Sequence, residues 1–505
     1  MRKSICLLSL FLSLTACFRP TYDPPCISVP QSWRLNTDEG STLCNMRWWE
    51  QFNDPILNQY IIVALQGNQN LQVAIARVRE YYARLGIADS FLLPTINGNA
   101  SFTRSKISLA SANLFPGTTA ANGAAAPALP TGFKRIFNDY QLFLSLNWEL
   151  DFWGRLQSLS AASYAELLAQ VEARRAVVMM VTTAVANAYI TLRQLDAQLA
   201  VSQKTLESRL ESLKLAQYRF EMGETSEIEV KQAEAEVEIA AIRVIEFQRD
   251  IPQQENLLSI LLGENPHYIE RGSSLDALQY PPTIPAGLPS DLLTRRPDII
   301  QAEDNLIAAN ARVFAAEALY FPQINLTGTY GSESEKLHRL LTSPAEMWQY
   351  GLNLIEPLFD AGRTYFQVEE AEAVRAEALF NYRQVVLTAF REVNDALIAY
   401  RKDRELVHEH QRQVKVLADY LHLAQLRYAE GEVDYLNVLD AERSLFDAQL
   451  QLVQAQADSF IAIVQLYNAL GGGWVTDADN IALAGGQCEL IEMLDLPNKC
   501  EQEGE

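Results

Sequence analysis

The chain of 505 residues is 49% hydrophobic and 21% charged, a composition that excludes wholesale disorder. Its 63 acidic side chains outnumber its 41 basic ones, and the formal net charge is −22. Because affinity for DNA and RNA comes largely from Lys and Arg neutralising phosphate, this balance excludes a nucleic-acid binder. No run of about 18 apolar residues follows the N-terminus, so the sequence predicts no transmembrane helix.

The N-terminus predicts export. A basic start (Arg2, Lys3) precedes a short apolar run that ends in Leu-Thr-Ala-Cys at Cys17. The run is too short to span a bilayer, and residues 1–16 are predicted to be a signal peptide. Leu-Thr-Ala-Cys resembles the bacterial lipobox, whose Cys is lipidated and becomes the new N-terminus; the alternative is an ordinary signal peptide that contains a Cys. Phe18 stands where inner-membrane lipoproteins carry Asp, which favours sorting to the outer membrane.

Four cysteines other than Cys17 remain after the signal peptide: Cys26, Cys44, Cys488 and Cys500. In an oxidising compartment an even number suggests disulfides. Three pairings are open, and proximity in sequence suggests Cys26–Cys44 and Cys488–Cys500. No CxxC or Cys/His pattern has metal-ligand spacing, so we expect no metal and no cofactor other than the covalent lipid on Cys17.

The sequence contains an internal repeat. FEMGE (220–224) has a counterpart in YAEGE (428–432), 208 residues later, and Gly154 and Gly362 keep this offset. Around the LPTIN and FPQIN motifs the offset is 228. The extra residues include the segment 110–132, which is rich in Ala, Gly, Ser, Thr and Pro and predicts a long loop. We interpret the repeat as a structural duplication.

Each half contains two runs with period-two alternation. In the second run, apolar side chains at Tyr140, Leu142, Leu144, Leu146 and Trp148 alternate with mostly polar ones. Strands with one apolar face and aromatics near the ends are typical of a membrane barrel. The alternative is a soluble sandwich with one wet face. Four strands cannot close a barrel, so several copies must combine their strands. Two copies would give eight strands and a filled bore, whereas three would give twelve strands and the open bore that a conduit needs.

Two long helices are predicted after the strands. Neither Gly nor Pro occurs in 155–222 or in 363–430, so each stretch can form a helix of about 100 Å. Apolar residues recur every seven positions in the first stretch, which predicts coiled-coil packing. A coiled-coil rod is the alternative for this section alone.

Three motifs resemble one family. They are WWxxFxDPxL from Trp48, LLTRRPDI from Leu292 and YLNVLDAER from Tyr435. They resemble the outer-membrane efflux lipoproteins of the TolC/OprM family over nearly the whole mature chain. The resemblance implies a mixed α/β membrane protein, a homotrimer with a twelve-stranded outer-membrane β-barrel, four strands per chain, continued by a long periplasmic α-helical barrel. It also implies a periplasmic adaptor, an inner-membrane transporter of the RND type and outer-membrane lipid as partners.

The expected domain organisation follows the duplication. We expect a signal peptide (1–16), a lipidated N-terminal segment with the first helices (17–90), a first repeat (91–286), a second repeat (287–472) and a C-terminal tail (473–505). Within the repeats, the expected subdivisions are strand hairpins at 94–151 and 322–358, helical hairpins at 152–264 and 361–471, and a helix at 297–319.

The resemblance also implies a gate at the helix turns. In the family, two Asp three residues apart belong to a carboxylate ring that closes the periplasmic tip; here these positions are Asn437 and Asp440, so one carboxylate is missing. The candidate gate residues are Asp440, Asp434, Glu430 and Glu432. A second acidic tip is formed by Glu221, Glu224, Glu227 and Glu229. The alternative is that these carboxylates are only the water-exposed surface of a helix turn.

The predicted function is a passive exit duct of a tripartite efflux pump, gated at its periplasmic tip. The chain is expected in the outer membrane of a Gram-negative-type bacterium, lipid-anchored, with its helical part in the periplasm. A type I protein-secretion duct and a non-conducting coiled-coil envelope lipoprotein are the alternatives. The sequence contains no nucleophile–base motif, so we expect no catalytic residues and no enzyme. The exported cargo is not encoded in any motif.

Overall fold

The computed structural model describes residues 22–34, 47–106, 136–280, 289–471 and 474–484. Outside the described residues lie the predicted signal peptide, the predicted loop 110–132 and four cysteines: Cys17, Cys44, Cys488 and Cys500. Cys26 is exposed and forms no disulfide within the described residues. The lipidation and both disulfide pairings therefore stay predictions.

The described residues form nine α-helices and four strands. In chain order the helices are α1 (Pro55–Gly67), α2 (Gln69–Ser90), α3 (Arg155–Glu221), α4 (Glu227–Leu262), α5 (Leu292–Arg295), α6 (Pro297–Glu317), α7 (Arg363–Ala429), α8 (Tyr435–Leu470) and α9 (Trp474–Ala484). The strands are β1 (Thr95–Lys106), β2 (Ile136–Glu149), β3 (Gln323–Ser334) and β4 (Glu346–Ile355).

The chain divides into two compact units. The sheet unit consists of Met1–Asp23, Ala83–Tyr164 and Ile307–Ala376. The helix unit consists of Pro24–Tyr82, Ala165–Leu306 and Glu377–Glu505. Strands from both sequence repeats thus share one unit.

The four strands form one antiparallel sheet in the order β1-β2-β3-β4. Leu144 is paired with Tyr330, and Tyr330 is paired with Trp348, so the apolar positions of neighbouring strands share one face. On this face Trp348 is 64% exposed, although it is a large apolar side chain. The other face is polar, and the Asn99 amide donates a hydrogen bond of 2.9 Å to the Ser145 hydroxyl. The sheet therefore has the two-sided pattern that the alternation predicted.

Aromatic residues of the Trp-Trp motif lie in the core of the helix unit. Trp48 and Trp49 are at most 1% exposed, and the Trp48 ring stacks on that of Tyr467 with centroids 5.7 Å apart. Both indoles also contact Trp474 at the start of α9 edge to face. Because large aromatic rings bury much apolar area, this cluster joins the 3-10 turn before α1 to the end of α8 and the start of α9.

Asp54, from the same motif, organises polar contacts in this core. Its carboxylate caps α1 by accepting hydrogen bonds from the backbone N–H groups of Ile56 (2.9 Å) and Leu57 (3.2 Å). It also accepts one from the Tyr189 hydroxyl at 2.8 Å and one from the Ser273 N–H at 3.1 Å. Asp54 is fully buried, so these four donors offset the cost of removing its charge from water.

Arg296 anchors the start of α6 in the helix unit. The predicted helix entry is confirmed, because α6 begins at Pro297. The buried Arg296 guanidinium donates to Asp298 at 2.8 Å and to the carbonyl of Ala469 at 3.1 Å, and it forms an ion pair with Glu392. The family-like RRPD motif thus links α6 to the end of α8.

One of the described helices, α3, contains an 18-residue stretch of mean hydropathy 1.4, which is apolar enough by composition to cross a membrane. The sequence, which has no continuous run of about 18 apolar residues after the N-terminus, predicts no transmembrane helix. Of the α3 stretch, 56% is buried inside the fold, as in the core helix of a soluble protein. Apolar residues such as Leu167, Val178 and Ile190 are buried in α3, so their side chains pack against protein.

A candidate gate at the helix turns

One glycine turn connects the two helices of each long hairpin. Gly223 lies between α3 and α4 with φ +78°, and Gly431 lies between α7 and α8 with φ +76°. The N–H of Gly223 donates to the carbonyl of Phe220, and that of Gly431 donates to the carbonyl of Tyr428. Residues in this left-handed backbone conformation commonly end helices, and glycine adopts the conformation without steric cost. The repeat therefore produces two equivalent turns.

Near the turns the two hairpins pack on one another through a small apolar cluster. Its buried members are Ala216 on α3, Ala233 on α4, Ala424 on α7, and Tyr435, Val438, Leu439 and Ala441 on α8. Larger, partly buried side chains from the other three helices also pack against it: Leu213, Val230, Leu421 and Tyr428. This cluster, which we call the tip cluster, fixes the position of α8 relative to the other helices near the turns.

The predicted gate residues surround the tip cluster without entering it. Asp440 is exposed, although its neighbours Leu439 and Ala441 are buried. Asn437 lies one turn earlier on the same exposed side of α8, and its amide donates to the backbone carbonyl of Asp434. Asp440 and Asn437 are therefore presented by a helix whose opposite side is held in the tip cluster.

The remaining candidates of this turn are also exposed. Asp434 is the N-cap residue of α8, but its side chain makes no capping hydrogen bond. Glu432 forms an ion pair with Arg427, with Nε and Oε2 3.1 Å apart. Glu430 lies beside them in the turn. Within one chain the structure thus brings four carboxylates to one turn, and one of them is paired with a cation.

The second acidic tip lies at the turn between α3 and α4. Glu221, Glu224 and Glu227 are exposed, and Glu224 lies 3.7 Å from the Arg219 guanidinium. Glu227 is in the first turn of α4, where the positive end of the helix dipole favours a carboxylate. These contacts are those of a solvated helix turn.

Tyr428 and Glu229 join the two hairpins. The Tyr428 hydroxyl donates a hydrogen bond of 2.8 Å to Oε2 of Glu229, and the Arg219 guanidinium lies over the Tyr428 ring at 4.9 Å. Burial, together with this hydrogen bond to a carboxylate, raises the pKa of Tyr428 to about 12. Glu229, a carboxylate of the second acidic tip, therefore contacts the other hairpin.

A buried ion network lies between α3, α4 and α8, further from the glycine turns than Tyr428 and Glu229. Its residues are not among the gate candidates that the sequence predicts. Glu236 is 1% exposed and forms two ion pairs. One is with Arg209 on α3, whose Nη1 lies 3.1 Å from Oε2 of Glu236, and the other is with Arg443 on α8. Arg209 also donates to the backbone carbonyl of Glu236 at 2.8 Å. Burial lowers the pKa of the Arg209 guanidinium, while Glu236 opposes this effect. Three helices are thus tied through one carboxylate.

Two further groups beside the network are buried without full hydrogen bonding. The Tyr435 hydroxyl and Oε2 of Glu442 have no hydrogen-bond partner within the described residues. Burial raises the pKa of Glu442; Arg209 opposes this rise and Glu236 adds to it. Burial also raises the pKa of Tyr435 above its usual range. The neutral forms of both groups are therefore favoured here.

Within the described part of the chain, no group of three or more His, Cys, Asp or Glu side chains is placed to hold a metal ion. The site therefore offers carboxylates that face solvent, one buried ion network and one tyrosine hydrogen bond between the hairpins. Such an arrangement can attract cations and hold two helical hairpins together.

Comparison with known proteins identifies relatives along most of the chain. The profile of the family described as outer membrane efflux protein matches residues 61–264 and 288–472. The toluene efflux pump outer membrane protein TtgI of Pseudomonas putida is 37% identical over 426 residues, which cover 84% of this chain and 87% of TtgI. The cation efflux system protein CusC of Escherichia coli is 32% identical over 469 residues, which cover 92% of this chain and 97% of CusC.

Solved structures show the same fold. CusC superposes with a TM-score of 0.78 at 31% identity, covering 90% of this chain and 99% of the CusC chain. The open state of the Neisseria gonorrhoeae MtrE outer membrane channel also gives a TM-score of 0.78, at 29% identity, covering 90% of this chain and 98% of that one.

These matches confirm the predicted fold class, a four-stranded antiparallel sheet combined with long helical hairpins, and the resemblance that the three motifs indicated. They also confirm the predicted function of an outer-membrane channel for efflux. The chain belongs to the outer membrane efflux protein family.

Proposed function

We propose that the protein is a passive exit duct built from three copies of this chain. The observation that carries the trimer is the four-stranded sheet, whose outermost strands β1 and β4 have no further partner within the described residues. In lipid each unpaired backbone group costs several kcal/mol, so open sheet edges cannot persist there. Three copies would close a barrel of twelve strands around an open bore.

The pump partners follow from the family. TtgI is the outer membrane protein of a toluene efflux pump, and CusC belongs to a cation efflux system. We propose that this chain likewise receives its cargo from an inner-membrane transporter of the RND type through a periplasmic adaptor. A type I protein-secretion duct is the second candidate within the same architecture. The chain contributes no catalytic step in either case.

The proposed anchor is a lipid on Cys17, in addition to the barrel. Each buried methylene of an acyl chain adds about 0.8 kcal/mol of membrane affinity. Cys17→Ala should therefore lose the acyl mass but remain partly in the outer membrane, because the barrel still holds it. If wild type and variant differ only by the side-chain mass, the lipid is excluded.

The proposed gate is the pair of helix turns. Asp440 and Asp434 would be repeated three times around a narrow pore, where like charges attract cations. Tyr428–Glu229 and the Glu236 network hold the hairpins together within each chain, so opening requires these contacts to loosen. We assign this movement to contact with the adaptor or the transporter.

The decisive experiment combines mass and conductance. The detergent-extracted protein should have three times the mass of the chain by light scattering, and it should form ion-conducting pores in planar bilayers. A monodisperse monomer would overturn the trimer. A trimer that never conducts, with or without the adaptor, would instead favour a coiled-coil lipoprotein that only spaces the envelope.

A further inference from the structure

The apolar face of the sheet ends in two cations on β1. Side chains of a strand alternate between faces, so Arg104 and Lys106 lie on the same face as Phe102 and Ile96. Both cationic side chains are exposed. No ion pair or hydrogen bond joins either side chain to a residue in the described part of the chain. The apolar face therefore ends, on β1, in two positive charges that have no negatively charged partner within the described residues.

These cations come directly after an aromatic pair. The Phe102 ring stacks on that of Tyr140 on β2, with centroids 4.6 Å apart. Arg104 follows two residues later, about 7 Å further along the strand. Aromatic rings on the outer face of a membrane barrel mark the level of the lipid headgroups. Arg104 and Lys106 are thus placed at or just beyond headgroup depth.

The two ends of the sheet differ in charge. The helices connect to the end that contains Thr95 and Glu149, whereas Lys106 is at the opposite end. At the helix-connected end, Arg155 is neutralised by Glu149 through two hydrogen bonds of 3.0 and 2.7 Å. The uncompensated cations therefore occur at the end that is farthest from the helices along the chain.

Acidic groups near this end do not neutralise the pair. Asp139 and Glu333 belong to the polar face, since each lies one residue from an apolar-face position. Glu346 is on the same face as the cations but on β4. The opposite edges of a four-stranded sheet are about 14 Å apart, so Glu346 is too distant for an ion pair within the chain.

We propose that Arg104 and Lys106 bind the phosphate groups of phosphorylated glycolipid in the outer leaflet. The inference rests on the proposed function, because it requires the sheet to lie in the outer membrane with its helix-connected end towards the periplasm. An Arg fork binds phosphate through two hydrogen bonds, and Lys adds a point charge. Cations close to an anionic membrane surface are attracted to it, and each strengthens binding.

The test measures lipid binding to the full-length, detergent-extracted protein. The probes are bisphosphorylated lipid A and the same glycolipid with both phosphates removed, titrated in native mass spectrometry. We expect the wild type to bind the phosphorylated form about tenfold more tightly. Arg104→Gln combined with Lys106→Gln should abolish this preference while leaving binding of the dephosphorylated form unchanged.

Two control variants make the result specific. Lys204→Gln combined with Lys214→Gln removes the same charge from positions of α3 outside the sheet and should keep the full preference. Arg104→Lys keeps the positive charge and should keep most of the preference for the phosphorylated form. An undiminished preference in the Arg104/Lys106 double variant would overturn the proposal.

Two other outcomes would also overturn it and can be told apart. If the double variant falls apart into monomers in both lipids, the cations act between chains and not on lipid. If the wild type binds neither glycolipid and stays monodisperse without detergent, the membrane location of the sheet itself fails, and the proposed function fails with it.

Discussion

The Tyr428 hydroxyl donates its 2.8 Å hydrogen bond to the Glu229 carboxylate across the gap between the two helical hairpins. The partners are 199 residues apart in the sequence, and each lies within a few residues of a glycine turn. The bond therefore connects the ends of two hairpins that the tip cluster and the Arg443–Glu236 ion pair also hold together.

Tyr428→Phe should loosen this connection. Loss of a hydrogen bond to a charged acceptor costs about 1.5–3 kcal/mol, so we expect more frequent pore openings in planar-bilayer recordings with the trimer intact. Tyr365→Phe is the matched control, because the Tyr365 hydroxyl bonds to Glu369 within one helix. Equal opening frequencies in the wild type and Tyr428→Phe would show that this bond does not restrain the gate.

Asp440→Ala combined with Asp434→Ala should change ion permeation. Both carboxylates are exposed at the turn, so removing them lowers the negative charge available to cations there. We expect weaker block by divalent ions and lower cation selectivity. Glu234→Ala combined with Glu238→Ala removes the same charge from exposed positions of α4 as a control. If block and selectivity are unchanged, Asp440 and Asp434 do not form the carboxylate ring, and Glu221, Glu224 and Glu227 become the candidates for it.

Glu442→Gln should stabilise the protein at neutral pH. The raised pKa of Glu442 means that the folded protein binds this proton more tightly than the unfolded chain does. Stability from the neutral form is therefore present in acid and is lost as the pH rises through the folded-state pKa. We expect the unfolding midpoint of Glu442→Gln to exceed that of the wild type by about 1–3 °C at pH 8.

The unfolding midpoints of the wild type and Glu442→Gln should become equal in acid, because the wild-type carboxyl is already neutral there. Glu430→Gln, at an exposed position, is the control and should leave the midpoint unchanged at both pH values. A Glu442→Gln variant that melts below the wild type at pH 8 would mean that the ionised carboxylate is stabilising, contrary to the burial argument.

Gly223→Ala and Gly431→Ala should each cost about 1–2 kcal/mol of stability. Both glycines have positive φ, and a methyl group added at either Cα would meet no other atom within 4 Å, so backbone strain is the whole effect. Asn, which tolerates this conformation better, should cost less. Gly86→Ala, inside α2 with open space around it, should instead stabilise by about 0.5–1 kcal/mol. Chemical denaturation that ranks Gly86→Ala as the most damaging change would contradict this account.

The sequence predicts local periodicity well. The strand alternation and the turns at Gly223 and Gly431 are confirmed, because each depends on residues that are neighbours in the chain. The family resemblance makes Asp440 a gate candidate, and in the structure Asp440 is exposed while its neighbours Leu439 and Ala441 enter the tip cluster.

Contacts between the repeats could not be predicted in this way. Arg443 reaches Glu236 over a separation of 207 residues, and nothing in either local pattern distinguishes these side chains from other charged residues on amphipathic helices. The near identity of this separation to the repeat offset of 208 is a signal that was available. In this pair the two side chains lie within one residue of equivalent positions in the two hairpins, so charged pairs near this offset are candidates for contact.

The sheet order has a consequence for how copies can be added. Its edges are two different strands, and β1 and β4 run in opposite directions because each neighbouring pair is antiparallel. A second copy in the same orientation therefore presents β1 to the first copy's β4 as a further antiparallel neighbour. Such a contact is heterologous, so every chain uses both edges once when the ring closes. One chain with a damaged edge strand leaves a gap that its intact neighbours cannot fill, and edge-strand variants should be dominant when mixed with wild-type chains.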